Sequence, residues 1–295
     1  MNDSPHSPPD ESASLEPVTR AYVPMARPLA FVAPPPPPQP GDEMLLASIS
    51  RRQAVTDLAL FAVLIVVFEL GVGEIIRRVI GANAVDAATA SETAKRVVVK
   101  EVFGPMLCLR AAGAIGLVAW IVRRRGGRAP SLGLAGRPWW VEGLWGLLTL
   151  RTIYAATAMT FLTLYLAWPE FLKQFEENGA RLMQLIPRMH PAKFFLIASV
   201  IGVYEEIVFR GFVLPRLRRL MGSWIAAIAV STAVFTSLHA ADQTSAALVM
   251  VSLLSMVLSA AAVWRRSIVP AIVAHVLFDW TQYLSLYLQA GEAWR

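Results

Sequence analysis

The feature that most constrains this chain is a series of long apolar segments that begins after residue 50. Each is close to the length of about 17–25 residues that a helix needs to cross the hydrocarbon core of a bilayer. The segments are 54–73, 104–122, 143–168, 194–214, 224–241, 246–264 and 268–288. The pattern predicts an all-α, polytopic transmembrane helix bundle with about seven spans.

The composition also favours a membrane protein over a soluble one. Of the 295 residues, 56% are hydrophobic and 16% are charged, and the mean hydropathy is +0.51. Soluble domains are about 45–50% apolar and about 25% charged. The net charge of +6 does not indicate a nucleic-acid partner, because the basic residues form short clusters beside apolar segments, as membrane anchors do.

Four arginine clusters predict the orientation of the spans. They fall at alternate ends of the apolar segments, so a topology with the N-terminus inside places all four on the cytoplasmic side. We therefore predict an integral protein of the cell or inner membrane. The clusters are Arg51/Arg52, Arg123/Arg124/Arg125/Arg128, Arg216/Arg218/Arg219 and Arg265/Arg266.

The first 50 residues have a different character. They hold 12 of the 20 prolines, including the run from Pro34 to Pro38. Such a segment cannot bury enough apolar surface to fold. We predict that residues 1–50 are a disordered, proline-rich cytoplasmic tail.

Three of the predicted spans carry ionisable residues, which cost several kcal/mol inside a bilayer and therefore indicate function. One contains Glu205, Glu206 and Arg210, one ends near His239, and the last contains His275 and Asp279. Their distances from the flanking arginines, at about 1.5 Å per residue, place Glu205, His239, His275 and Asp279 in one mid-depth layer. A glutamate and two histidines in one layer can supply a base for water and donors for an oxyanion.

Helix geometry separates the roles of these residues. Glu206 and Arg210 are four residues apart and share a face, whereas Glu205 points about 100° away. We predict that Arg210 neutralises Glu206 and leaves Glu205 free. His275 and Asp279 are also four apart, so the carboxylate can orient the imidazole or support its protonated form.

The three motifs Glu205-Glu206-Ile207-Val208-Phe209-Arg210-Gly211, Phe235-x-x-x-His239 and His275-x-x-x-Asp279 resemble those of a known family. It is the CAAX prenyl protease 2 and bacteriocin-processing (CPBP, or Abi) family of intramembrane endopeptidases. The likeness covers about residues 194–285, and Ser131-Leu132-Gly133-Leu134 resembles a weaker stretch that precedes the core. It implies that residues 51–142 form N-terminal transmembrane helices and loops and that residues 143–295 form the catalytic core.

The resemblance also implies roles for single residues. Glu205 would be the general base, His239 its partner on the water, and His275 with Asp279 the oxyanion side. Many relatives have Asn at the position of Asp279, and an ionised Asp cannot donate to an oxyanion. Here His275 would therefore be the donor and Asp279 its orienter, unless burial keeps Asp279 protonated.

A metal cofactor is possible but is not favoured by the residues. The single cysteine, Cys108, cannot form a thiolate cluster, so zinc would have to rely on His, Asp and Glu, and Glu205, His239 and His275 could supply three ligands with water as the fourth. There is no His-Glu-x-x-His helix, and no spare base would remain once Glu205 became a ligand. We therefore expect a metal-free, glutamate-activated water.

The expected partners are the lipid bilayer and a peptide or protein substrate. A prenylated CAAX tail, a bacteriocin precursor and another membrane peptide all remain open as substrates, and the sequence leaves the oligomeric state open. Two other functional classes are also open. Buried Glu and His residues can relay protons in a transporter, and a catalytically silent scaffold or immunity protein could use the same fold.

Overall fold

Helices account for the regular structure of the protein. The computed structural model describes residues 49–84, 92–134, 138–185 and 189–289, and these ranges contain no strand. This confirms the all-α prediction, whereas residues 1–48 of the predicted tail lie outside the described residues. The helices are α1 (Arg51–Ala84), α2 (Glu92–Arg124), α3 (Trp139–Ala167), α4 (Phe171–Leu185), α5 (Pro191–Glu206), α6 (Leu214–Met221), α7 (Trp224–Leu238), α8 (Ser245–Arg265) and α9 (Val269–Gln289).

Four helical segments are long and apolar enough to cross a membrane within the described part of the chain. They are Arg51–Ile75, Phe103–Arg124, Trp139–Ala167 and Ser245–Arg265. The other predicted spans are also helical, in the run from α5 to α6, in the 15-residue helix α7 and in α9. The chain is therefore an integral membrane protein, and the total of about seven spans stays a prediction.

One helix, α4, was not predicted from the sequence. Its charged residues keep it from resembling a span, but its Phe171 is buried against Phe161. On the same helix, the side-chain oxygen of Asn178 accepts a hydrogen bond of 3.0 Å from the backbone N–H of Thr244. Thr244 directly precedes α8, so α4 caps the start of that helix and fixes the turn between α7 and α8.

An ionic cluster ties three helices together at one end of the bundle. Asp57 of α1 is buried, and its Oδ2 lies 3.0 Å from Nη2 of Arg216 in α6. Its Oδ1 lies 3.0 Å from Nη2 of Arg125, which directly follows α2. These arginines belong to two of the clusters that the sequence places on one side of the membrane. We call Asp57, Arg125 and Arg216 the arginine clamp.

The remaining clusters lie at the same end. Arg265, at the end of α8, is 2.7 Å from Glu142 in the first turn of α3. The N–H of Ile268 donates to the carbonyl of Gly133, in the connection that follows α2. Arg51 and Arg52 open α1, less than two turns before Asp57. The arginine clusters therefore share one end of the bundle because successive spans run in opposite directions.

Helix α9 lies close against α3 and α5 because small residues face it. A Cβ atom at Gly146 of α3 would lie 2.6 Å from Cβ of Val273, and one at Gly202 of α5 would lie 2.7 Å from Cγ2 of Val276. Contacts of this kind let helix backbones approach each other inside membranes. The approach at Gly202 brings the motifs of α5 and α9 together.

The shared end of the arginine clusters leads to a topology prediction. In a variant with Cys108→Ser, a cysteine at Met221, the exposed last residue of α6, should react with a membrane-impermeant maleimide only after permeabilisation. A cysteine at the exposed Glu170, beyond the opposite end of α3, should react in intact cells. Labelling of position 221 from outside would contradict the assignment of this end to the cytoplasm.

The arginine clamp leads to a stability prediction. Asp57→Asn removes the charge that balances the buried Arg216, and we expect a loss on the order of 3–5 kcal/mol in the free energy of unfolding. The matched control is Glu74→Gln in the same helix, which weakens the more exposed Glu74–Arg78 pair and should cost at most about 1 kcal/mol. Thermal unfolding in one detergent measures both. Equal melting temperatures for the two variants would contradict a stabilising clamp.

Candidate active site

The site begins where the chain leaves regular α-geometry after Glu206. Residues Ile207–Val213 form a π-helical segment, in which the N–H of Leu214 bonds to the carbonyl of Phe209. Gly211 lies against the turn before α3, since a Cβ there would be 3.0 Å from the carbonyl oxygen of Leu132. The weak Ser131–Leu134 motif thus packs on the segment that carries Arg210. π-Helical turns within α-helices are frequent at functional sites.

The predicted contact between Glu206 and Arg210 is present. Nη1 of Arg210 donates to Oε1 of Glu206 at 2.8 Å, and neither side chain is exposed. The π-helical turn keeps the two residues on one face. Nε and Nη2 of the guanidinium donate as well, so each of its three nitrogens makes at least one hydrogen bond, as burial of a charge requires.

The hydrogen-bond partners of Arg210 on α8 were not predicted from the sequence. Its Nη2 donates to the carbonyl and the hydroxyl oxygen of Ser255, each at 3.0 Å, and its Nε donates to the hydroxyl of Ser259 at 3.3 Å. The hydroxyl of Ser255 in turn donates to that of Thr232 on α7. The signal in the sequence was two serines four residues apart in an apolar helix, which places both on one face.

His275 makes its shortest contact with Glu206. Its Nδ1 lies 2.8 Å from Oε1 of Glu206, and the imidazole is almost fully buried. A carboxylate only accepts, so Nδ1 carries the proton. The resemblance implies Asp279 as the orienter, but Nε2 of His275 is 3.6 Å from Oδ2 of Asp279, which is too long for a hydrogen bond. Glu206, and not Asp279, therefore holds the ring in the structure.

Glu205 faces away from Arg210, as its position on the helix predicts. The hydroxyl of Tyr204 donates to its Oε1 at 3.1 Å. Its Oε2 lies 3.9 Å from Nε2 of His275, and 13% of its side chain is exposed. This contact of Tyr204 was not predicted from the sequence. One oxygen of Glu205 is therefore held, while the other faces His275.

His239 lies directly after the last residue of α7. Its Nδ1 is 2.9 Å from the carbonyl oxygen of Phe235, one turn earlier. A carbonyl only accepts, so in the neutral ring Nδ1 is the donor and Nε2 is left as an acceptor. The ring of Phe235 lies between the two histidines, with centroid distances of 4.7 Å to His239 and 6.4 Å to His275. Asp279 lies within electrostatic range of His239 and Glu205.

The arrangement of these residues does not match a zinc site. Among the described residues, no group of three His, Cys, Asp or Glu side chains is placed to hold a metal ion. We therefore assign no step to a metal.

The contrast between the two glutamates leads to a prediction. Glu206→Gln removes the counter-charge of the buried Arg210 and replaces the charged acceptor of His275 with a neutral one, and we expect a loss of about 3–5 kcal/mol in the free energy of unfolding. Glu205→Gln, the matched control, changes a partly exposed carboxylate and should cost much less. Thermal unfolding of both purified variants tests this. Equal stability and equal yield would contradict the structural role of Glu206.

A scan of known families finds a match that coincides with this site. Residues 187–281 match the model of the family described as type II CAAX prenyl endopeptidase, Rce1-like. The segment contains all six residues of the predicted site, while α1, α2 and α3 lie outside it. No curated protein and no solved structure matches the chain significantly. Residues 187–281 are therefore similar to the Rce1-like family of type II CAAX prenyl endopeptidases, in agreement with the resemblance that the three sequence motifs carry.

Proposed function

We propose that the protein is an intramembrane endopeptidase that uses a glutamate-activated water to cut a membrane-associated peptide. The observation that carries this proposal is the environment of His275, which has carboxylates of α5 and α9 on both ring nitrogens. Glu206 lies at 2.8 Å, Asp279 at 3.6 Å and Glu205 at 3.9 Å. A carboxylate facing an imidazole across such a gap can hold a reacting group between them.

Glu205 is the base in this proposal. Its Oε1 is occupied by Tyr204, so Oε2 is the oxygen that takes a proton from water. His239 can accept the second hydrogen of that water at Nε2, because its Nδ1 is bonded to the carbonyl of Phe235. The water oxygen then attacks the carbonyl carbon of the peptide bond. Glu206 does not compete as a base, because it is buried and paired with Arg210.

His275 stabilises the oxyanion that this attack produces. To donate from Nε2 while Nδ1 donates to Glu206, the ring must be an imidazolium, and the surrounding carboxylates support that form. Asp279, if ionised, cannot donate to the oxyanion but adds to the negative field that supports the cation. When the C–N bond breaks, Glu205 returns its proton to the leaving amine. The base is then regenerated for the next water.

The substrate reaches this layer from the end of the bundle that carries the arginine clusters. We propose that this end is cytoplasmic, in keeping with the positive-inside rule. The family description supports a substrate with a CAAX-type terminus, and a bacteriocin-like precursor or another membrane peptide is the alternative. The substrate class is therefore part of the test.

The test of the mechanism is Glu205→Gln in the purified full-length chain. Glutamine keeps the shape and polarity of the site but cannot take the proton, so substrate should still bind while kcat falls by about 10²–10⁴-fold. The assay compares a prenylated peptide with the same peptide lacking the lipid, with and without a chelator. Glu177→Gln, at an exposed glutamate of α4, should keep wild-type activity.

Three outcomes would contradict the proposal in different ways. Full activity of metal-free Glu205→Gln would show that Glu205 is not the general base. Reversible loss of activity on chelation would point to a metal-activated water. If the wild type cleaves no peptide, the endopeptidase proposal is contradicted, and the proton-coupled transporter and the silent scaffold or immunity protein are the alternatives.

A further inference from the structure

A second ionic pair lies in the part of the chain outside the family match. Nε of Arg110 in α2 is 2.8 Å from Oε2 of Glu69 in α1. Both residues lie inside segments that are long and apolar enough to span the membrane. Their side chains are 48% and 38% exposed, far more than those of the buried Glu206–Arg210 pair. Charged groups in a span generally face the bundle interior or a water-filled path and mark function.

The pair lies within the membrane span, as the proposed base does. The side chains of Asp57, Arg125 and Arg216 meet in the arginine clamp. Depth in the membrane can therefore be counted from the clamp along α1, along α2 and along the run from α5 to α6. At about 1.5 Å per residue, Glu69 is about 18 Å from this level and Arg110 about 22 Å. The stretch from Glu205 to Arg216 includes the π-helical segment Ile207–Val213, so the α-helical rise gives an upper limit of about 16 Å for Glu205. All three residues therefore lie inside the span, well away from the arginine clamp.

Tyr204 connects the pair to the site. Helix α2 packs against α5, which carries Tyr204 immediately before Glu205. The hydroxyl of Tyr204 is hydrogen-bonded to Glu205, and it lies within electrostatic range of Arg110 and Glu69. Arg110 is therefore a partly exposed cation within electrostatic range of Tyr204, on a helix that packs against α5.

We propose that Arg110 binds the C-terminal carboxylate of the peptide substrate and that Glu69 is its partner when no substrate is present. This inference rests on the endopeptidase function proposed above. A guanidinium has five donors and can bind a carboxylate through two parallel hydrogen bonds. Glu69 balances the charge of Arg110 in the empty site, so that no lone cation remains in the membrane.

The length of a CAAX-type terminus fits this assignment. The prenylated cysteine is the fourth residue from the carboxyl end, and three extended residues span at most about 10 Å. The proposal therefore requires the scissile carbonyl near Glu205 and the carboxylate at Arg110, on the neighbouring helix, to lie within that reach. The enzyme would then measure the distance from the chain end and reject internal sites.

The experiment compares two prenylated peptides that differ only at the C-terminus, one a free acid and one an amide. The wild type should cleave the acid with a kcat/KM about 10–100-fold higher, the factor expected for a charge-assisted pair. Arg110→Gln should reduce the rate for the acid to that of the amide and leave the rate for the amide unchanged. A merely structural role would lower both rates equally, and this result would overturn the proposal.

Matched variants separate the carboxylate contact from a general loss of charge. Arg151→Gln removes an exposed arginine from α3 and should keep the preference for the acid, as should Glu69→Gln. Arg110→Lys keeps the charge without the bidentate geometry, so its preference should be intermediate; it replaces Arg110→Gln if that variant does not fold. Equal cleavage of both peptides by the wild type, or an unchanged preference in the Arg110 variants, would overturn the proposal. Cleavage of neither peptide by the wild type would overturn the proposed function itself.

Discussion

The fully buried pair of Glu206 and Arg210 is the interaction on which the arrangement of the site depends. Arg210 bonds to Glu206 on its own helical run and to Ser255 and Ser259 on α8. Glu206 uses the same oxygen to hold His275 of α9. A charge at this depth is stable only when its donors are satisfied, so three separate helical segments must meet here.

This requirement also gives the two adjacent glutamates different roles. Glu206 is buried and neutralised, so it acts on the site through His275 and Arg210. Glu205 is partly exposed and is held by Tyr204 at one oxygen only. The turn of about 100° between consecutive helical residues thus separates a structural carboxylate from one that can take a proton, and this separation is what the proposed mechanism uses.

The arginine clamp and the site are two polar levels in an otherwise apolar bundle. The clamp joins α1, α2 and α6 at one end, and the small residues Gly146 and Gly202 let α9 approach from the other side. With one end fixed, the rise of each helix sets the depth of its polar residues. This explains how Glu69 and Arg110, which are outside the family match, lie well inside the span, as Glu205 does.

The sequence by itself determined the helical membrane class, the likeness of residues 187–281 to the Rce1-like family, the common end of the arginine clusters and the Glu206–Arg210 contact. All of these depend on length, hydropathy or spacing within one helix, which obey simple periodic rules. Only the tertiary structure decided that His275 is held by Glu206 and not by Asp279, that Asp57 joins two arginine clusters and that Arg110 lies near Tyr204. Those contacts join residues far apart in the chain, and a helical period fixes the face of a residue but not the helix that it meets.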